Sequence, residues 1–263
     1  MLPNPRANAR RWWLPGPPPP RRLVSLQTVE ESYHRDGISE LAVPVRSITL
    51  RSRKDYASVL ASYTCISSTS SPEPIYLFHG CGNSISHDVT RSFSRWGPSI
   101  RFSRARSYFS AGPAVYWSNS LEFAIAWSFF AETGSWDMSL SRQDTQQQQQ
   151  QPFVCLVYMS KVSMQAMNSV EHGLYLIPEP ESRLEEEELE EWCNGNLDPG
   201  RRPSPLAPPK TKTARWGIVG SRIPRSTMQA LEHLDGNIDK IWLFASCNEA
   251  SSRVMAEGGV EVG

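Results

Sequence analysis

No stretch of this 263-residue chain approaches 18 consecutive apolar residues, so no membrane-spanning helix is expected. A cysteine framework is missing as well. The five cysteines, Cys65, Cys81, Cys155, Cys193 and Cys247, are odd in number, scattered and without C-x-x-C spacing. That argues against a disulfide scaffold and a structural zinc site. It points to a reducing compartment, cytoplasmic or nuclear. Net charge is absent too, because 27 basic and 27 acidic residues balance. No overall pull toward nucleic acid or acidic lipid follows. The nine tryptophans are spread along the chain rather than interleaved with a basic stripe, so no nucleic-acid surface is expected. There is no nucleophile elbow, phosphate-binding loop or H-E-x-x-H motif, which leaves hydrolase and metalloenzyme chemistry without a foothold. Near the start, Arg11-Trp12-Trp13-Leu14 runs straight into prolines, so no signal-peptide core forms. The first 25 residues are nonetheless arginine-rich and acid-free, a composition shared with organellar presequences.

What is present divides the chain unevenly. Residues 1–45 read as a disordered proline- and arginine-rich leader. Its run Pro17 to Pro20 favours extended polyproline and suits a small proline-recognising domain. Residues 46–256 read as one domain, with low-complexity insertions near 141–152 and 199–213 and a tail at 257–263. Within it, the spacing of Tyr56, Leu60 and Tyr63 predicts a helix over Ser52 to Ser62. Cys81 to Ser110 reads as a long surface loop, with one helical turn at Asp88 to Phe93. Asn119, followed three residues later by Glu122, reads as a capping box. The helix it would open, Ser120 to Ala131, is apolar almost all round, which makes it a central element. Short strands are expected at Ile75 to Phe78, Val115 to Trp117, Phe153 to Met159, Leu174 to Ile177, Trp216 to Gly220 and Ile241 to Phe244. Leu184 to Trp192 reads as an acidic, solvated helix. Asn248 to Met255 reads as a terminal helix or turn. Short strands separated by irregular segments, around one buried helix, give an α+β fold.

Two strand ends carry the candidate chemistry. The first ends in His79 and Gly80. A strand-end histidine holds a ring nitrogen rigidly toward a sugar hydroxyl. The glycine lets another group approach the backbone closely, and its peptide groups suit a carboxamide. The second strand delivers Tyr116, whose flat face can stack on an aromatic ring. The same residues also suit plain core and turn positions. Arg104 and Arg106, in the loop before Tyr116, are charged donors fit for phosphates or for solvent. Trp216-Gly217-Ile218-Val219-Gly220 lacks the G-x-G-x-x-G pattern and reads as a strand ended by Gly220 rather than a dinucleotide turn.

Phe78-His79-Gly80 and Gly112-x-x-Val115-Tyr116-Trp117-Ser118-x-Ser120-x-Glu122-x-Ala124-x-x-Trp127 together resemble the ADP-ribosyltransferase superfamily. The likeness is to its histidine–tyrosine branch, that of the poly(ADP-ribose) polymerases and diphtheria-type toxins, and within it to a little-described fungal group. It covers roughly residues 46 to 256, with the distinctive part at 75–127. The resemblance implies a split β-sheet that binds NAD, as substrate, in its cleft. His79 would meet the ribose, the Gly80 backbone the amide, and Tyr116 the nicotinamide ring, while Ala124 packs the helix behind the site. It also implies a carboxylate at the start of a late strand. Here that strand opens Asp239-Lys240-Ile241-Trp242, with Asp239 the nearest acid and no glutamate. Alternation puts Lys240, Trp242 and Phe244 on one face and Asp239, Ile241 and Leu243 on the other. Glu249 follows the strand, in reach only if the turn folds back. Ser68-Thr69-Ser70 and Glu185-x-Glu187 match the letters of another branch of that superfamily, but they sit in a loop and in an acidic helix.

Three functions stay open from the residues. One is NAD-dependent ADP-ribosyl transfer to a protein or small acceptor, or NAD glycohydrolysis, through His79, Tyr116 and Asp239, with His79, Gly80, Tyr116 and Arg104 binding the nucleotide and no metal. The second is an inactive relative serving as a nucleotide-binding or protein-interaction module. The third is a domain without a ligand, in which His79 and Tyr116 complete the core.

Overall fold

The structure is a computed structural model, and it describes residues 25–41, 46–50, 75–81, 87–104, 106–133, 153–197, 216–223 and 241–259. It is a mixed α+β fold built on one open sheet of seven strands. In chain order these are β1 (Arg46–Leu50), β2 (Ile75–Cys81), β3 (Val115–Ser118), β4 (Phe153–Val162), β5 (Leu174–Leu176), β6 (Ile218–Arg222) and β7 (Trp242–Ser246). Across the sheet the order is β1-β4-β2-β3-β7-β6-β5. Every neighbouring pair is antiparallel except β5 with β6. Among the described residues the α-helices are α1 (Leu26–Arg35), α2 (His87–Trp96), α3 (Leu121–Thr133), α4 (Met164–Asn168), α5 (Arg183–Leu197) and α6 (Glu249–Glu257).

One junction in this sheet differs from the rest. The ladder between β2 and β4 runs unbroken from Ile75–Val162 to Cys81–Leu156. On its other side, β2 meets β3 at a single registered pair, Phe78 with Ser118. No further pair is registered between these two strands, although β3 stays fully laddered to β7 from Val115–Ser246 to Ser118–Leu243. The sheet is thus two well-bonded halves joined at a thin seam.

Strand alternation divides the core into two layers. One face presents Phe78, Val157, Met159, Val219, Leu243 and Ala245, packed under α3 and α5. The other presents Leu77, Val115, Trp117, Tyr158, Ile218 and Phe244, packed under α4 and α6. The β7 residues divide as alternation demands, with Ile241 and Leu243 on the first face and Trp242 and Phe244 on the second. α3 carries Phe123, Ala124, Ile125, Ala126, Phe129 and Phe130 buried together, as its all-round apolar surface requires. The α6 carbonyls of Met255 and Ala256 accept from Ser160 Oγ and Tyr158 Oη of β4, which supplies partners for an end that a helix leaves unpaired.

Several sequence expectations are corrected. Within the stretch assigned to a disordered leader, Leu26–Arg35 form α1, capped by Ser25. Its Val29 and Tyr33 pack on Trp96 of α2, and Arg95 pairs with both Glu30 and Glu40. A short amphipathic helix gains order from such docking rather than from propensity. Within the segment expected as a loop, the helical turn at Asp88 to Phe93 is extended to the ten-residue α2, whose Phe93 and Trp96 are buried at helical spacing. The α3 cap is Ser120, whose Oγ accepts from Phe123 N. Asn119 reaches sideways instead, its Oδ1 accepting from Trp242 N at 2.8 Å, with its own N–H on Trp242 O. Gly220 lies inside β6 and does not end it; a side chain there would strike Phe244 and Leu176. The expected helix at Ser52 to Ser62, the leader before residue 25 and the insertions at 141–152 and 199–213 lie outside the described residues. Among the described residues no helix is long and apolar enough to cross a membrane.

Candidate functional site

The candidate residues meet at the seam. Where the β2–β3 ladder is interrupted, the backbone carbonyl of Tyr116 is met by the His79 ring, Nδ1 to O, at 2.7 Å. A carbonyl only accepts, so Nδ1 carries the proton. In the neutral ring Nε2 is then the acceptor nitrogen, the form suited to receive a hydroxyl hydrogen. The half-buried ring sits 5.5 Å from the Phe93 ring and 5.7 Å from Trp117, centroid to centroid. α2 and β3 therefore hold it from two sides.

Tyr116 turns the other way. His79 lies with Trp117 on the second face, and Tyr116 packs into the first. The single Phe78–Ser118 pair dictates this, because each strand reverses faces at every residue. The residues are neighbours through one backbone carbonyl, and their side chains lie on opposite faces. The Tyr116 ring is 5.9 Å from Trp127 of α3 and 5.7 Å from Phe109. Its Oη accepts from Phe109 N at 2.9 Å. Burial holds its hydroxyl pKa well above the usual range. The group stays a neutral hydrogen-bonding phenol and not a base.

Gly80 is needed for a reason different from the one the sequence suggested. A Cβ there would lie 2.3 Å from the Ala124 carbonyl oxygen and 2.9 Å from its carbon. The close approach is that of α3 itself, whose backbone packs onto β2 at this point. Ala124 thus lies directly behind Gly80, and the glycine is what lets it in.

Arg104 lies close enough to Tyr108 to act on its hydroxyl electrostatically. Arg106 donates through Nη1 to Asn196 O near the end of α5, at 3.2 Å, a position where a cation is favoured. Asp239 and Lys240 lie outside the described residues. Glu249 is the first residue of α6, which Asn248 caps with a full capping box. Its carboxylate accepts from Tyr33 Oη at 2.6 Å and from Ser99 Oγ at 3.1 Å, with Arg101 Nε 3.8 Å away. These contacts tie Glu249 to α1 and to the Ser99–Arg101 segment. Burial pushes the Cys155 and Cys247 thiols up to about 12, which leaves neither as a ready nucleophile. Among the described residues no three metal-ligating side chains gather.

An aromatic group around Tyr116 escaped the sequence reading. Tyr108 and Trp127 meet edge to face at 5.8 Å, and Phe123 stacks near Trp127 at 6.0 Å. The spacing of Phe123, Trp127 and Phe130 on one helix carries a signal for the α3 part. The Tyr108–Phe109 loop has no periodicity to announce it. Comparison with known proteins finds no matching family model, curated protein or solved structure.

Proposed function

We propose that this chain is an ADP-ribosyltransferase-like domain that binds NAD at the seam between β2 and β3. One observation carries the reading: the ladder stops at Phe78–Ser118, and the His79 imidazole takes the Tyr116 carbonyl where a strand amide would otherwise sit. In this reading the interrupted ladder is where a flat ligand is received, beside His79. Such a ligand meets His79 on the second face, while Tyr116, packed between Phe109 and Trp127 on the first, backs the seam.

The chemistry that suits this slot is cleavage of the nicotinamide–ribose bond. The C1′–N bond breaks and its electron pair leaves with nicotinamide. The new bond at C1′ comes from a protein group, a small acceptor or water, which loses a proton. A carboxylate beside the developing cation would lower that barrier, and Asp239 is the residue assigned to it. The expected result is nicotinamide release from labelled NAD by the full chain, abolished in His79→Ala and reduced about a hundredfold or more in Asp239→Ala, the scale of an acid–base or charge-stabilising group.

A second reading has its own observation. The one carboxylate described just beyond β7, Glu249, is taken up by Tyr33, Ser99 and Arg101. A domain that binds NAD, or a related nucleotide, without turning it over fits that arrangement. It predicts saturable binding that His79→Ala removes, with no nicotinamide released.

A further inference from the structure

We infer that Asn196, near the end of α5, is a positioning residue for Tyr116, acting through the loop 106–110; its bearing on ligand binding rests on the NAD reading above. Asn196 is a buried polar residue, 3% exposed, in a helix whose outer face is otherwise acidic. Burying an amide costs stability unless its donors and acceptors are met. Both ends of this residue are met by one loop. Its Nδ2 donates to Tyr108 O at 2.8 Å, and its backbone carbonyl accepts from Arg106 Nη1 at 3.2 Å.

The next residue in that loop completes the path. Phe109 N donates to Tyr116 Oη. The Phe109 ring stacks on Trp192 of α5, 15° from parallel at 6.3 Å, and leans on Tyr116 at 5.7 Å. One turn of α5 therefore grips the loop twice, by the Trp192 ring and by the Asn196 amide. The gripped loop delivers the hydrogen bond that orients the Tyr116 phenol. The bridge Ser107–Ser110 closes the loop on itself, so displacement at Tyr108 is passed to Phe109 rather than absorbed. α5 is thus more than a solvated acidic helix. Its inner face sets the aromatic wall of the seam.

The test compares Asn196→Ala and Asn196→Asp with the wild-type chain. The aspartate keeps the shape but has no N–H to give Tyr108. Amide hydrogen exchange at Phe109 is expected to quicken about tenfold in both variants, the effect of one lost buried hydrogen bond. The β2 and β4 amides are expected to keep wild-type protection. NAD affinity, read by tryptophan fluorescence, is expected to fall by a similar factor. Unchanged exchange at Phe109 in both variants overturns the inference, as does a loss of protection spread equally over β2 and β4. Absence of NAD binding in the wild-type chain counts against the NAD reading instead, while the exchange arm still decides the role of Asn196.

Discussion

Gly80 illustrates how one missing side chain serves a seam. The Ala124 carbonyl occupies the place a Cβ would take, so α3 rides directly on the β2 backbone. Gly80→Ala must push strand and helix apart, and overpacking of this kind costs about 2 to 3 kcal/mol. Urea denaturation of the variant measures it, and an unchanged midpoint would refute the close packing. Tyr33 is a second residue with a definite cost. Its hydroxyl donates to the part-buried Glu249 carboxylate, which Tyr33→Phe leaves with Ser99 and a distant Arg101. The expected loss is about 1 to 3 kcal/mol, read as a shift in the same denaturation midpoint. The strand carrying His79 was legible, because Ile75 to Phe78 is a short apolar run after Pro74, but His79 does not end it: β2 runs on through Gly80 to Cys81, laddered to β4 throughout. The partner of His79 was not legible. A bond from a ring nitrogen to a backbone carbonyl 37 positions away depends on strand register, which no local pattern encodes.

Elements were read best where one physical signal dominated. α3 was found from its apolar surface, and β4 from an unbroken apolar run. α1 was missed, and only one turn of α2 was legible, because few of their residues are apolar. Their order comes from Val29, Tyr33 and Trp96 meeting across the two helices, a fact of tertiary packing. The entry to α3 shows the same limit. Asn119 and Ser120 are both good caps by composition, and β7 decides between them by taking the Asn119 amide for Trp242. The two substitutions therefore separate. Ser120→Ala is expected to cost about 1 kcal/mol, as lost caps do, and to fray the first turn of α3. Asn119→Ala is expected to cost about as much but to loosen Trp242 of β7 instead. Amide exchange at Phe123 and at Trp242 distinguishes them. Equal effects on both amides in both variants would contradict the assignment.

Across the whole molecule, buried acids that stay protonated set the response to pH. Burial raises the Tyr33, Tyr116 and Tyr158 hydroxyls above the ordinary 10.0, and the Cys155 and Cys247 thiols above the ordinary 9.0. Each group is neutral in the fold and ionises more readily once unfolded. Its contribution is complete below the unfolded value and is lost as pH rises past it. The thermal midpoint is therefore expected to hold from pH 7 to about pH 9 and fall steadily above. A flat profile to about pH 11 would contradict the burial of these groups. The α+β character was legible in the order of short strands and one buried helix. The seam was not, because it arises where a ladder fails to continue between residues far apart in sequence. That seam is the centre of the account, and binding of NAD to the full chain tests it most directly. Titration followed by tryptophan fluorescence is expected to saturate in the wild-type protein and to be lost in His79→Ala while that variant remains folded. No saturable binding in the wild-type chain, or equal affinity in the variant, would contradict it.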